Sequence, residues 1–240
     1  MGELVFSTSA DGVIDVVIDR PPDNLLTVGL CAELTELLLS PPPGTHVLRL
    51  RAAGEVFCLG RERAGNTPAE LRAETRTLVS LHRALRDTPL VTVAEVNGDA
   101  AGFGVGILAA CDVAVAVSGA SLWFPEVGID LAPALVLAWL PRIVGERQAF
   151  WLTATGEAIS AARAMELGLL NEVVSSPESL AKDVQARVDA LRTRNPRIHG
   201  EIKDMLRAFR SLDEDQALEL SVDRLVVGAL RRGESATPTE

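Results

Sequence analysis

Two glycine-bearing turns hold the residues best placed to do chemistry. The first is Phe57-Cys58-Leu59-Gly60-Arg61-Glu62, which follows a strand-like run. The second spans Val96-Asn97-Gly98-Asp99-Ala100-Ala101-Gly102-Phe103-Gly104-Val105-Gly106, also after a strand and leading into a helix. Glycine lets backbone approach a ligand closely. A helix start beyond the turn leaves unpaired N–H groups and a positive dipole end. Together these suit a developing oxyanion. The same glycines would also let a helix pack tightly on a sheet, and spacing alone does not choose between the two. A dinucleotide fingerprint is excluded, because the G-x-G-x-x-G spacing fails and no early βαβ unit surrounds the turn.

Carboxylates supply the second chemical element. Glu126 lies in Pro125-Glu126-Val127-Gly128, and Asp130 follows four residues later in the apolar stretch Val127–Leu137. An unpaired carboxylate buried there would have a raised pKa. Asp130 also reads as a cap for a helix beginning near Pro133. Asp99 and Glu62 read as solvated. Cys58 sits in the first turn, although cysteine is usually a small buried apolar residue. Trp123, Phe124, Trp139 and Trp151 read as core or pocket wall.

The elements that must position these groups follow from patterning. Leu4–Phe6 and Val13–Ile18 predict two strands around Asp11-Gly12, a hairpin signal. Val28–Leu39 has helical spacing and ends before Pro41-Pro42-Pro43-Gly44. His46–Ala52 reads as a core strand. Thr67–Arg86 predicts a helix with Thr67 as its cap and Pro68 at its first position. Leu90–Val96 is a buried, β-branched strand, Ala100–Ala110 a small-residue helix, Asp112–Val117 another buried strand and Ser121–Phe124 a short extended piece. From Pro133 onward the pattern is helical apart from a strand-like return at Asn171–Val174. Strands alternating with helices before a helical section indicate an α/β core, residues 1–175, a helical region 176–232 and a disordered polar tail 233–240.

Composition bounds the function. The 240 residues are 48% hydrophobic and 23% charged, which is globular, with 4% aromatics and no Tyr. The formal net charge of −10 argues against a nucleic-acid partner. A few local arginines could still hold a phosphorylated small ligand. Cys31, Cys58 and Cys111 form no CxxC pair, so neither a disulfide framework nor a zinc site is implied. The three histidines are far apart in sequence, which disfavours a metal site. No leader pattern opens the chain, and no apolar run of about 18 residues suggests a membrane span. A cytoplasmic location is expected.

Taken in order, Val96-Asn97-Gly98 through Cys111-Asp112 resembles the signature of the enoyl-CoA hydratase/isomerase (crotonase) family. Phe57–Glu62 upstream, Pro125–Gly128 downstream, and Leu152-Thr153 with Gly156, Ala161–Ala164 and Gly168–Val174 resemble its other segments, over roughly residues 4–205. The resemblance implies a crotonase-like α/β spiral of ββα units with a helical C-terminal trimerisation region. It implies an acyl-CoA substrate, with coenzyme A arriving as part of that substrate and no separate cofactor or metal. It also implies a homotrimer or dimer of trimers.

The resemblance assigns the oxyanion donors to the backbone N–H groups of Arg61 and Phe103, where the family usually has Gly at the second. It assigns the acid/base carboxylate to Glu126. Cys58, Gly60, Gly102, Asp130 and Trp123 are candidate substrate contacts, Asp130 without a counterpart in the family's pattern. The Arg61 side chain and Lys203 are each either a contact for coenzyme A phosphate or a solvated charge. Hydratases of the family carry a further glutamate at the position of Gly106. Its absence tilts the expectation toward double-bond isomerisation, which needs one base, over hydration. Thioester or β-diketone hydrolysis, decarboxylation and a non-catalytic acyl-CoA-binding subunit remain alternatives.

Overall fold

The computed structural model describes residues 3–8 and 11–236. Two compact units divide the chain, Met1–Pro196 and Arg197–Glu240.

In the first unit, β1 (Glu3–Thr8) and β2 (Val13–Asp19) pair antiparallel. Helix α1 (Val28–Leu39) starts at Thr27, whose hydroxyl accepts the Leu30 N–H at 3.1 Å. After β3 (Val47–Ala52), α2 (Pro68–Asp87) opens on a reciprocal cap. The Glu70 N–H donates to Thr67 Oγ1 and the Thr67 N–H to Glu70 Oε2. The chain then forms β4 (Val91–Val96), β5 (Ala100–Ala101), α3 (Phe103–Ala110), β6 (Val113–Val117) and β7 (Ser121–Trp123). A 3-10 helix (Pro125–Ile129) follows, then α4 (Ala134–Leu137), α5 (Pro141–Val144) and α6 (Glu146–Thr155). The unit continues with β8 (Ile159–Ser160), α7 (Ala161–Glu166), β9 (Glu172–Val174) and α8 (Pro177–Arg192).

Two sheets arise from this order. The larger runs β1-β2-β3-β4-β6-β9, parallel except for β1–β2. The smaller runs β5-β7-β8. Two single bridges, Leu26 with Arg61 and Cys58 with Ala100, extend the same pattern to earlier turns of the chain. Successive turns therefore place a strand in the large sheet, then a short extended piece beside that of the neighbouring turn. This repeated step is a spiral of ββα units. All six residues of β4 are buried, as expected of a central parallel strand covered on both faces.

Three expectations change. The helix expected from Ala100 starts at Phe103, because the Ala101 N–H pairs with the Cys58 carbonyl and Gly102 turns the chain. Helix α8 packs against β3, β4 and β6, so residues 177–192 stay with the core and the division falls after Pro196, not after residue 175. The second unit holds most of α9 (Pro196–Phe209) and α10 (Glu214–Ala236). Residues 233–236, expected in a disordered tail, continue α10, since one glycine costs a helix only about 1 kcal/mol. Residues 237–240 of that tail lie outside the described residues. Among the described residues no helix is long and apolar enough to cross a membrane.

Candidate active site

The two glycine-bearing turns are locked together through their main chains. The Phe57 and Cys58 N–H groups donate to the Asp99 carbonyl at 3.0 and 3.2 Å, and the Ala101 N–H donates to the Cys58 carbonyl at 2.9 Å. A Cβ on Gly104 would fall 2.1 Å from the Cys58 carbonyl oxygen, so only glycine permits this approach. The turns therefore sit side by side with no side chain between them.

Both candidate donors are left open by this arrangement. The bridge at Leu26 uses the Gly60 carbonyl, at 3.1 Å, and the Glu62 N–H, at 2.9 Å, and so bypasses the Arg61 N–H. Gly102 adopts φ +50°, a region that side chains disfavour, and gives its own N–H to the Trp123 carbonyl at 2.9 Å. Phe103 is the first residue of α3, where an N–H has no partner within the helix. Among the described residues, neither the Arg61 nor the Phe103 amide has a backbone acceptor.

Gly60, Arg61, Gly102, Phe103 and Glu126 line one cleft of about 340 Å³. Glu126 is carried by the 3-10 helix, which begins at Pro125. Its Oε1 would lie 3.1 Å from a Cβ on Gly102, so the carboxylate stands directly beside the second turn. Its Oε2 is buried without a hydrogen-bond partner. Burial pushes the carboxyl above its ordinary value; its own backbone N–H, Arg63 and Arg61 oppose this in part. Among the described residues lining the cleft, Glu126 is the only carboxylate.

The rest of the wall is mostly apolar. A Cβ on Gly106 would touch the Trp139 indole at 3.8 Å and the Phe103 ring at 4.0 Å. Phe103 therefore neither opens the turn nor leaves a gap; its ring helps cover the face of α3 where Gly106 sits. Trp139 meets Phe124 edge-on and stacks on His82, and Thr75, Leu78 and His82 add one face of α2 to the wall.

Several expected contacts are placed elsewhere. Cys58 is fully buried under the first turn, with Sγ 3.2 Å from the Gly60 carbonyl. Burial pushes its thiol up to about 12, so it packs rather than reacts. Trp123 contributes its carbonyl to the turn, and its side chain does not line the cleft. Asp130 is exposed and does not cap the helix near Pro133. It is the left-handed residue at φ 55° that ends the 3-10 helix, and it faces a neighbouring apolar groove of about 630 Å³. Lys203 is buried, so it is not a solvated helix residue.

The Arg61 side chain is tied down instead of solvated. Its guanidinium pairs with Glu74, a buried carboxylate on α2. Glu74 also accepts the Gly65 N–H at 3.0 Å and the Ala64 N–H at 3.3 Å. Sequence reading gave no role in the site to Glu74 or His82, and read Trp139 only as core or pocket wall. The signal for Glu74 was present: it occupies a helical stripe with Leu78, Leu81 and Leu85. Among the described residues no group of three or more His, Cys, Asp or Glu could hold a metal ion.

Known proteins match this arrangement over nearly the whole chain. A family profile described as enoyl-CoA hydratase/isomerase matches residues 8–227. The enoyl-CoA isomerase/hydratase fer4 of Mycosarcoma maydis is 32% identical over 183 residues, 70% of this chain and 67% of that protein. The enoyl-CoA hydratase ACTT6 of Alternaria alternata is 28% identical over 221 residues, 90% of this chain and 74% of the other. The crystal structure of an enoyl-CoA hydratase from Mycobacterium smegmatis superposes with a TM-score of 0.88 at 25% identity, covering 94% of this chain and 90% of that one. The expected crotonase-like α/β spiral is the fold observed.

Proposed function

We propose a reaction from one premise: this chain belongs to the enoyl-CoA hydratase/isomerase family. The reaction is movement of a carbon–carbon double bond in an enoyl-CoA thioester, with Glu126 as its single base. The observation that carries this reading is the buried, unpartnered Oε2 of Glu126 in a cleft with no second carboxylate among its described lining residues.

In the proposed reaction the thioester oxygen lies against the amides of Arg61 and Phe103. The Glu126 carboxylate takes a proton from the carbon next to the double bond. The electron pair left behind spreads into a dienolate, whose negative oxygen the two amides hold. The Glu126 carboxylic acid then returns the proton two carbons away, and the double bond has moved with no net change in atoms. Burial suits both halves of this cycle, because a carboxyl with a raised pKa is a stronger base and remains able to give the proton back. Hydration needs a held and activated water, for which the family's hydratases use a second carboxylate. Here the Gly106 face is covered by the rings of Trp139 and Phe103.

The test supplies 3-enoyl-CoA and 2-enoyl-CoA thioesters and identifies the products. Isomerised product without 3-hydroxyacyl-CoA is expected. Glu126→Gln is expected to lower kcat about a thousandfold and to leave acyl-CoA binding in place. Full activity of that variant with a good substrate would remove Glu126 as the base. Hydration at a comparable rate would remove the preference for isomerisation.

A further inference from the structure

One polar side chain on the α2 face of the cleft is used neither by the proposed reaction nor by the fold. Thr75, Leu78 and His82 present one face of α2 to the cleft. The Thr75 hydroxyl is spent on the Leu71 carbonyl at 2.8 Å. Arg61 is held by Glu74. The His82 ring lies 6.0 Å from the Trp139 ring, with the planes 27° apart. No hydrogen bond reaches either of its ring nitrogens from the described residues.

Trp139 stacks on the His82 ring, and Leu78, Leu135 and Val136 add apolar wall to the same cleft. Burial, together with the charge of Arg86, pushes the imidazole below its ordinary 6.5, so it is neutral at neutral pH. A neutral imidazole offers one N–H donor and one lone pair. A hydrocarbon group packed against it would cover both without replacing their bonds to water. An oxygen substituent would satisfy one of them. Sites built this way reject the analogue that lacks the polar group.

The position of His82 says which part of a substrate it meets. Trp139 covers Gly106, which is one helical turn along α3 from the Phe103 amide. His82 lies eight residues along α2 from Glu74, about 12 Å by helical rise, and Glu74 is the residue that holds Arg61, so His82 lies away from the thioester end of the cleft.

We propose that His82 is a specificity-determining residue that selects acyl groups bearing a hydroxyl or keto oxygen on their distal carbons. This rests on the acyl-CoA reading above and adds the chemistry of the acyl group to it.

The test is calorimetric binding of hexanoyl-CoA and of its derivatives hydroxylated at carbon 4, 5 or 6. These thioesters are saturated, so neither turnover nor Glu126 enters the result. The wild-type chain is expected to bind at least one hydroxylated thioester about tenfold more tightly than hexanoyl-CoA. His82→Phe, which keeps a ring against Trp139, is expected to bring the two within about twofold, while His82→Gln, which keeps a donor and an acceptor, retains part of the preference. Equal wild-type binding of all four would overturn the role of His82 and leave the acyl-CoA reading standing. A preference that survives in His82→Phe would overturn it as well. Wild-type binding of none would overturn both readings.

Discussion

Two carboxylates flank Arg61, Glu74 buried and Glu126 half-buried, and they are treated in opposite ways. Glu74, on α2, receives the Arg61 guanidinium and the N–H groups of Ala64 and Gly65. Glu126, across the cleft, has one oxygen against the glycine turn and the other buried with no partner. A satisfied buried carboxylate fixes structure, because removing it strands its partners. An unsatisfied one is a charge the fold has desolvated without compensation, and such groups cluster where chemistry is done. The contrast separates the carboxylate that holds shape from the one to which the proposed proton transfer is given.

Three substitutions test that separation, in descending size of effect. Gly102→Ala should act on the Glu126 side. It forces a side chain onto a φ of +50° and places its Cβ 3.1 Å from Glu126 Oε1. Loss of about a hundredfold in kcat is expected, the size seen when one oxyanion donor is misplaced, and steady-state kinetics with an enoyl-CoA substrate would measure it. An alanine variant with unchanged kcat would break the comparison at its catalytic end.

Glu74→Leu should act mainly on stability. Stranding the Arg61 guanidinium and two loop amides is expected to cost about 3 kcal/mol, read from urea unfolding. Glu74→Gln, which still accepts hydrogen bonds, should lose less. If Glu74→Leu unfolded at the same urea concentration as the wild type, Glu74 would not be the structural member of the pair.

The smallest effect has a sign of its own. The folded carboxyl of Glu126 has a pKa above its ordinary 4.5. Its contribution to stability is therefore fully present below that value and is lost as pH rises through the folded pKa. Above its folded pKa the wild type carries a desolvated charge that Glu126→Gln lacks. The variant should melt slightly higher there, and the difference should vanish below about 4.5. A variant that melts lower at neutral pH would mean that Glu126 is satisfied in solution.

The parts of the site made by local sequence were legible before any coordinates. Thr67 announces the start of α2, and Asn97-Gly98 the turn after β4; the 3-10 helix carrying Glu126 was not announced. The parts made by spiral pairing were not. Glu74 and His82 lie on α2, and nothing near them in sequence shows that their helix forms a wall opposite α3. Asp130 misled for a related reason. The pattern placed a carboxylate before Pro133, but the preceding 3-10 helix takes its N–H and turns it outward. Trp139 could be read as wall, but not as the ring that covers Gly106.

The contact between Gly104 and the Cys58 carbonyl bears on how such a catalyst can be retuned. The distance between the two turns is set where main chain meets main chain, at a point with no side chain to exchange. Residues 82, 106, 126 and 139 line the cleft beside that frame. On the reading proposed above, a change at any of them would alter which acyl group enters or where a proton is delivered and leave the spacing of the two turns as it was. The scaffold thus allows new chemistry to be tried one side chain at a time.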